Sequence, residues 1–141
     1  MTAAAPRFAW PVRVYYEDTD AGGVVYHANY LRFMERARTE RLRALGLELT
    51  HLQETEGLVF AVRGMEVEYL RPARLGDQLL ITADVDDIKR VSLTFRQAVY
   101  PPNPASDAYC TARVRVVCLS ADGFRPMAMP DHLLERIRDV V

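Results

Sequence analysis

Two aspartates, two glycines and a histidine lie within ten residues, directly ahead of the most helical segment of the chain. They are Asp18, Asp20, Gly22, Gly23 and His27. The first amides of a helix have no internal partner and carry partial positive charge, so they attract an oxyanion. A carboxylate close to such a helix start could serve as a base or nucleophile beside an oxyanion site, which is the arrangement that acyl transfer requires. Paired glycines let the backbone turn tightly and approach a ligand.

Other kinds of site fit this segment less well. A calcium loop that begins at Asp18 has Gly23 at position six, but Asn29 stands at position twelve, where a bidentate Glu is needed. No GK[ST] follows the glycines, and the chain has no GxSxG, so a phosphate loop and a serine hydrolase are disfavoured. The three histidines have no close metal-ligand spacing with the cysteines, so we expect no metal site.

Each of these residues also has a structural interpretation that the sequence leaves open. An Asp beside Gly in a strand-to-helix turn forms an Asx turn or a helix cap without any further role. Asp18 is expected to be a structural acceptor of this kind. His27 and Asn29 are ordinary polar residues for a helix start. The spacing therefore outlines a site and names no substrate.

The rest of the chain alternates between helical and strand-like periods. Period-two alternation and turn residues predict strands over residues 12–17, 58–70, 78–88, 91–100 and 108–119. Helices are predicted over 28–45, with Gly46 as its stop, and over 131–140. The apolar phase slips near Arg63 and Gly64, which predicts a bulge there.

These elements predict an α+β fold in which a five-stranded antiparallel sheet wraps around one long helix. Successive strands joined by short turns are most simply antiparallel, and one amphipathic helix must bury its apolar stripe on the sheet. The far face and the edges of the sheet remain uncovered, so we expect at least a dimer. Most of the charged helix residues are expected to form a solvated face with local pairs such as Arg36 with Glu40. They are Glu35, Arg36, Arg38, Glu40, Arg41 and Arg43.

Composition excludes several classes of protein. The chain has 141 residues, which predicts one domain over residues 1–141, and its net charge is -1. A nucleic-acid partner is not expected, because proteins that neutralise phosphates are strongly basic. We expect neither a signal peptide nor a membrane-spanning segment. Cys110 and Cys118 would lie about 26 Å apart on one strand. They are therefore expected to be reduced core residues of a cytoplasmic protein.

Three segments of the sequence resemble a known family. VRVYYEDTDAGGVVYHANY followed by ERARTERL, then VEYLRPARLGD, and finally FRPMAMP are similar to the hotdog-fold acyl-CoA thioesterases. The resemblance is to the 4-hydroxybenzoyl-CoA thioesterase-like group and, within it, to the Tol-Pal-associated YbgC type. It spans about residues 10–130, and its strand and helix order agrees with the one predicted above.

The resemblance implies hydrolysis of acyl-CoA with no metal or organic cofactor. It implies that Asp20 is the catalytic carboxylate, and that Gly22 and Gly23 are the glycines of the substrate-binding loop. It assigns His27 a catalytic part, and the backbone N–H of His27 the polarisation of the thioester carbonyl. The site would lie at a subunit interface, in a homodimer or a dimer of dimers.

Several residues further from the motif have two interpretations. Tyr26, with Tyr30 and Phe33, could line an acyl pocket or belong to the core. Lys89 and Arg90 could meet the anionic nucleotide end of CoA or form a charged hairpin tip. Two other functions remain open: an acyl-thioester hydratase or dehydratase on the same fold, and a binding module. The module would dock acyl carrier protein, lipid-synthesis partners or envelope-related complexes.

Overall fold

The computed structural model describes residues 8–103 and 105–140. In this range the chain forms an α+β fold, with one long helix packed on a sheet whose strand pairs are all antiparallel. None of the helices described combines the length and the apolar composition that a membrane crossing requires. The elements are β1 (Ala9–Arg13), α1 (Asn29–Ala44), α2 (Leu49–Glu56), β2 (Leu58–Tyr69), β3 (Gln78–Thr82), β4 (Asp84–Ile88), β5 (Ser92–Tyr100), β6 (Cys110–Ser120) and α3 (Asp131–Arg138).

Helix α1 lies within one residue of each predicted boundary and ends as predicted at Gly46. The Gly46 N–H donates to the Arg43 carbonyl, and the Leu47 N–H donates to the Leu42 carbonyl, which is a common way to close a helix. Its buried apolar side chains are spaced three, one, three and five residues apart and pack against the sheet. They are Tyr30, Phe33, Met34, Ala37 and Leu42.

The sheet has six strands rather than five, in the order β1-β3-β5-β6-β2, with β4 also paired to β5. The predicted strand over 78–88 is broken at Ala83 into β3 and β4. Both pieces pair with the same edge of β5, Ile81 with Val99 and Asp84 with Arg96, so the register continues across the break. Of the two pieces, β3 pairs with β1 and β4 does not, and the pairing of β3 with β1 ends at Thr82.

The first strand was predicted too far along the chain. β1 ends at Arg13, and a short 3₁₀ turn over Tyr16–Asp18 follows where the strand was expected to continue. Val14 is buried, and its N–H donates to the Asp77 carbonyl. The chain turns there because the Asp18 side chain enters the interior, as described below. Helix α2 was not predicted, since only Leu52 among its residues is buried.

Strand β2 confirms the predicted strand over 58–70 and the predicted bulge. Its pairing with β6 shifts register between Val62 and Gly64. β2 closes one side of the sheet, so its outer edge has no strand neighbour among the residues described. An edge strand of this length is a site where another chain can pair.

Most of the charged residues of α1 are at least partly exposed, as predicted, but two arginines are not. Arg38 and Arg41 are buried, and Arg41 lies 5.5 Å from the ring of Phe8. Glu40 pairs with Arg43 rather than with Arg36. Arginine can be drawn inside because its long stem packs against apolar surface.

Both cysteines are buried and free, as predicted. Burial raises the pKa of the Cys110 thiol to about 12 and that of the Cys118 thiol to about 11. Both thiols therefore stay protonated at neutral pH, which makes them poor nucleophiles.

Candidate active site

Asp20 lies in a tight turn between the 3₁₀ segment and α1. Its Oδ1 accepts the Gly22 N–H at 2.8 Å, its carbonyl accepts the Gly23 N–H at 3.0 Å, and its own N–H donates to the Val24 carbonyl at 2.9 Å. The carboxylate is exposed and takes part in no salt bridge among the residues described. The backbone thus holds Asp20 firmly, while one carboxylate oxygen remains available for another molecule.

The two glycines are required by this turn for different reasons. A Cβ on Gly22 would lie 3.2 Å from Asp20 Oδ1, so a side chain there would press on the carboxylate. Gly23 has a φ of +78°, which L side chains rarely adopt. The glycine pair therefore shapes the loop around Asp20.

Asp18 has the structural role that was expected of it. The side chain is buried, and its Oδ2 accepts the Tyr15 N–H at 2.9 Å. Its Oδ1 accepts Nδ2 of Asn29, the first residue of α1, at 2.8 Å. The Tyr26 N–H donates to the Asp18 carbonyl. Asp18 thus joins the turn to the helix start and leaves Asp20 as the exposed carboxylate of the pair.

The start of α1 presents a backbone N–H group that has no acceptor within the described chain. No side chain caps the helix, because the N-cap residue is Ala28, which has no hydrogen-bonding side chain. The backbone N–H of His27 has no acceptor among residues 8–103 and 105–140. Unpaired amides at a helix start bind anions. The turn therefore brings an exposed carboxylate and an uncapped helix N-terminus together within eight residues of chain.

The loop is fixed to the turn that follows β2. The Val25 N–H donates to the Ala73 carbonyl, and the Ala73 N–H donates to the phenolic oxygen of Tyr30 at 3.1 Å. Tyr30 and Phe33 are buried in the core, whereas Tyr26 is exposed. Burial is the main cause that raises the pKa of Tyr30.

His27 is exposed beside two tyrosines. Its ring centroid lies 4.6 Å from that of Tyr26 and 6.2 Å from that of Tyr69. The Tyr69 hydroxyl, at the end of β2, donates to the His27 carbonyl at 3.1 Å. Sequence analysis missed Tyr69, since it lies 42 positions from His27 and no local pattern connects the two. Tyr69 is a positioning residue for the helix start.

Replacing Tyr69 by Phe is expected to lower turnover by about two- to tenfold, because one hydrogen bond to the His27 peptide is worth about 0.5–1.5 kcal/mol. The ring contact with His27 is kept, so the effect should fall on kcat more than on KM. Steady-state kinetics of Tyr69→Phe beside Tyr109→Phe, a half-buried tyrosine with no bond to His27, would measure it. Equal kinetics in both variants would remove Tyr69 from the site.

Lys89 and Arg90 lie at the other end of the sheet from Asp20. They form the turn between β4 and β5, and the adjacent Ser92 pairs with Val117. Tyr69, which bonds to His27, pairs with Cys110, and Cys110 pairs with Val99. Ser92 and Val99 are about 23 Å apart along β5 at ~3.3 Å per residue. A single chain does not bring these cations to Asp20.

A single long helix on an antiparallel sheet, with a carboxylate turn before the helix, is the architecture of the hotdog fold. The solved structure of a 4-hydroxybenzoyl-CoA thioesterase in complex with 4-hydroxybenzoyl-CoA has this fold. It is 20% identical, with a TM-score of 0.85, and covers 92% of this chain and 97% of that chain. At this identity the likeness concerns the fold alone.

Closer relatives establish the family. The model of the thioesterase-like superfamily matches residues 14–137. The acyl-CoA thioester hydrolase YbgC of Escherichia coli O6:H1 is 45% identical over 131 residues, covering 93% of this chain and 96% of the relative. A solved probable thioesterase from Bartonella henselae is 34% identical, with a TM-score of 0.81 over 87% of this chain and 98% of that one. The chain belongs to the thioesterase-like superfamily, as its motifs predicted.

Proposed function

We propose that this protein hydrolyses acyl-CoA thioesters to the free acid and CoA, with Asp20 as the catalytic carboxylate. The observation that carries the proposal is the exposed Asp20 carboxylate, held by Gly22 in the turn before an uncapped helix start. Membership of the thioesterase-like superfamily and the similarity to proteins named acyl-CoA thioester hydrolase support the substrate class.

The hard step of the reaction is attack on the thioester carbonyl. Asp20 either takes a proton from water as the water attacks, or attacks itself and forms an anhydride that water then opens. In both routes a C–O bond replaces the C–S bond, and the carbonyl oxygen becomes negative on the way. The His27 N–H is the donor for that charge, and such a donor is typically worth about 2.7–4 kcal/mol.

The leaving group needs little help. A thiol with a pKa of roughly 8.5, the value for cysteine, departs readily as the thiolate and takes up a proton from solvent. The His27 side chain then has the lesser task of orienting water or substrate between Tyr26 and Tyr69. The proposed chemistry uses a carboxylate, an amide and water, and calls on no metal or organic cofactor.

We infer that the working form in the cytoplasm is a homodimer, or a dimer of such dimers, joined along β2. The outer edge of β2 has no strand neighbour in the described chain, and three of its apolar side chains are exposed: Val62, Met65 and Tyr69. Two copies of an edge strand paired antiparallel about a two-fold axis would bring the Lys89 end of one sheet towards the Asp20 end of the other. Lys89 and Arg90 would then bind the nucleotide end of CoA in the partner's site.

A thiol-release assay over short, long and aromatic acyl-CoAs tests the proposal. We expect free CoA to appear in step with free acid for at least one acyl class, above the rate for buffer alone. A hydratase would instead consume an enoyl-CoA without releasing thiol. A binding module would release none and would retain acyl carrier protein or an envelope-related partner in a pull-down, and either result would refute thioester hydrolysis.

A further inference from the structure

A cavity lies away from Asp20, between the later turns of α1 and the strands β2, β5 and β6. Its volume is about 330 Å³, at the lower end of the range for ligand pockets. Most of its wall is apolar. Leu42, Phe60, Phe95 and Val116 are among the lining residues, and the polar contributions come from the helix residues Glu35, Arg38 and Thr39.

Arg38 is an unusual residue for such a wall, because its side chain is buried and charged. Only 8% of the residue is exposed, and burial lowers the pKa of its guanidinium. Its Nη1 donates to Gln97 Oε1 at 2.9 Å. No carboxylate lies within ion-pair distance of Arg38 in the described part of the chain. Buried charges are normally paired, since an unpaired one is costly.

Gln97 holds the guanidinium in place. Its Nε2 donates to the Met34 carbonyl at 3.0 Å and to the Thr82 carbonyl at 3.1 Å. Both donors of the Gln97 amide are thus used on backbone, so its oxygen must face Arg38. The other N–H groups of the guanidinium have no acceptor among residues 8–103 and 105–140. A fork of N–H donors is therefore oriented and left open at an apolar cavity.

Side chains of β2 lie between this cavity, which Phe60 and Val62 line, and Tyr69 beside His27. Arg38 lies nine positions beyond Asn29, the first residue of α1, or about 14 Å along the helix from the end that follows the Asp20 turn. Along β2, alternate side chains face the helix, because each pairs with a buried residue of β6. They are Tyr69, Val67, Met65, Val62 and Phe60. A chain held at the His27 amide could follow this stripe to Arg38.

We propose that this cavity takes the far end of the acyl chain, and that Arg38 binds a carboxylate carried there, so the preferred substrates include ω-carboxyacyl-CoA thioesters. The inference rests on the proposed function and names a substrate class for it. A carboxylate satisfies two guanidinium N–H groups at once and compensates the buried charge. Glu35, three residues earlier on α1, lines the same cavity, and its charge raises the pKa of Arg38 against the effect of burial. Glu35 is exposed, so water weakens its repulsion of the incoming group.

The test compares medium- and long-chain acyl-CoAs, each paired with its ω-carboxy counterpart of the same length. We expect the wild-type protein to show a kcat/KM about ten- to a hundredfold higher for the carboxylated member at the length that reaches Arg38, the range for hydrogen bonds to charged groups. In Arg38→Met this preference should vanish, and in Arg38→Lys it should be partly restored. Arg36→Met, an exposed neighbour on the same helix, should keep it.

Loss of folded enzyme lowers kcat/KM equally for both members of a pair, so their ratio does not change. The ratio therefore measures the preference even if Arg38→Met is less stable. Equal rates for both members of every pair in the wild type, or a preference that survives in Arg38→Met, would overturn the inference.

A second measurement, calorimetric binding of free dicarboxylic and monocarboxylic acids, distinguishes failure of this inference from failure of the proposed function. Tighter binding of the diacid that depends on Arg38, without thiol release, would uphold the cavity and refute hydrolysis. Equal binding of both acids would overturn the cavity's role.

Discussion

Asp20→Asn is expected to lower kcat/KM for acyl-CoA hydrolysis by about 10²- to 10⁴-fold, the range attributed to a positioned acid or base. The substitution removes the charge and the basicity of the carboxylate and little else. An Asn Oδ1 can still accept the Gly22 N–H that Asp20 accepts at 2.8 Å. The loop and the helix start should therefore stay in place while the chemistry is lost. Thiol release under steady-state conditions measures the effect.

Two controls make the Asp20 result specific. The free energy of unfolding of Asp20→Asn should stay within about 0.5 kcal/mol of the wild type, as is usual for an exposed position. Asp122→Asn, another exposed aspartate in a turn, should leave turnover unchanged. Unaltered turnover in Asp20→Asn would show that this carboxylate takes no part in the reaction.

Asp18→Ala should behave in the opposite way and destabilise the protein by roughly 2–4 kcal/mol. The substitution leaves the Tyr15 N–H and the buried Asn29 amide without their acceptor, and each buried unsatisfied group costs about 1–3 kcal/mol. For a chain of this size, the melting temperature falls by about 2–4 °C per kcal/mol. Urea unfolding followed by circular dichroism gives the free energy directly.

Activity in Asp18→Ala should fall as well, because the helix start loses its link to the turn. Activity and stability together therefore distinguish the two aspartates. Asp20→Asn should lose turnover while it stays stable, and Asp18→Ala should lose stability. Asp18→Asn keeps one acceptor and should be intermediate in stability. A stable Asp18→Ala with no turnover would show that Asp18 takes part in the chemistry, contrary to its buried, fully hydrogen-bonded position.

Local patterns account for much of what the sequence predicted correctly. Helix α1, its stop at Gly46 and the bulge in β2 depend on residues close together in the chain, and all three were predicted. The turn around Asp20 belongs to the same group, because a carboxylate accepting the N–H two residues on is a local hydrogen bond. Where local signals were weak, as in α2 and at Ala83, the boundaries or the element itself were missed.

Burial and long-range contacts were decided by the tertiary structure alone. Arg36, Arg38 and Arg41 are the same residue type on one helix, yet Arg38 and Arg41 are buried and Arg36 is exposed. Arg38 finds an acceptor inside the fold in Gln97, 59 positions away, and Arg41 lies over the ring of Phe8. Tyr69 likewise reaches the His27 carbonyl from the end of another strand.

The sequence by itself determined the family, the long helix and the pair of aspartates that precede it, since each is written in adjacent residues. The packing of the chain decided that Asp18 is the buried aspartate and that Lys89 and Arg90 lie far from Asp20. It also decided that the buried Arg38 lines a cavity. Those outcomes depend on how the strands pair and which side chains they enclose, and such contacts join residues far apart in the sequence.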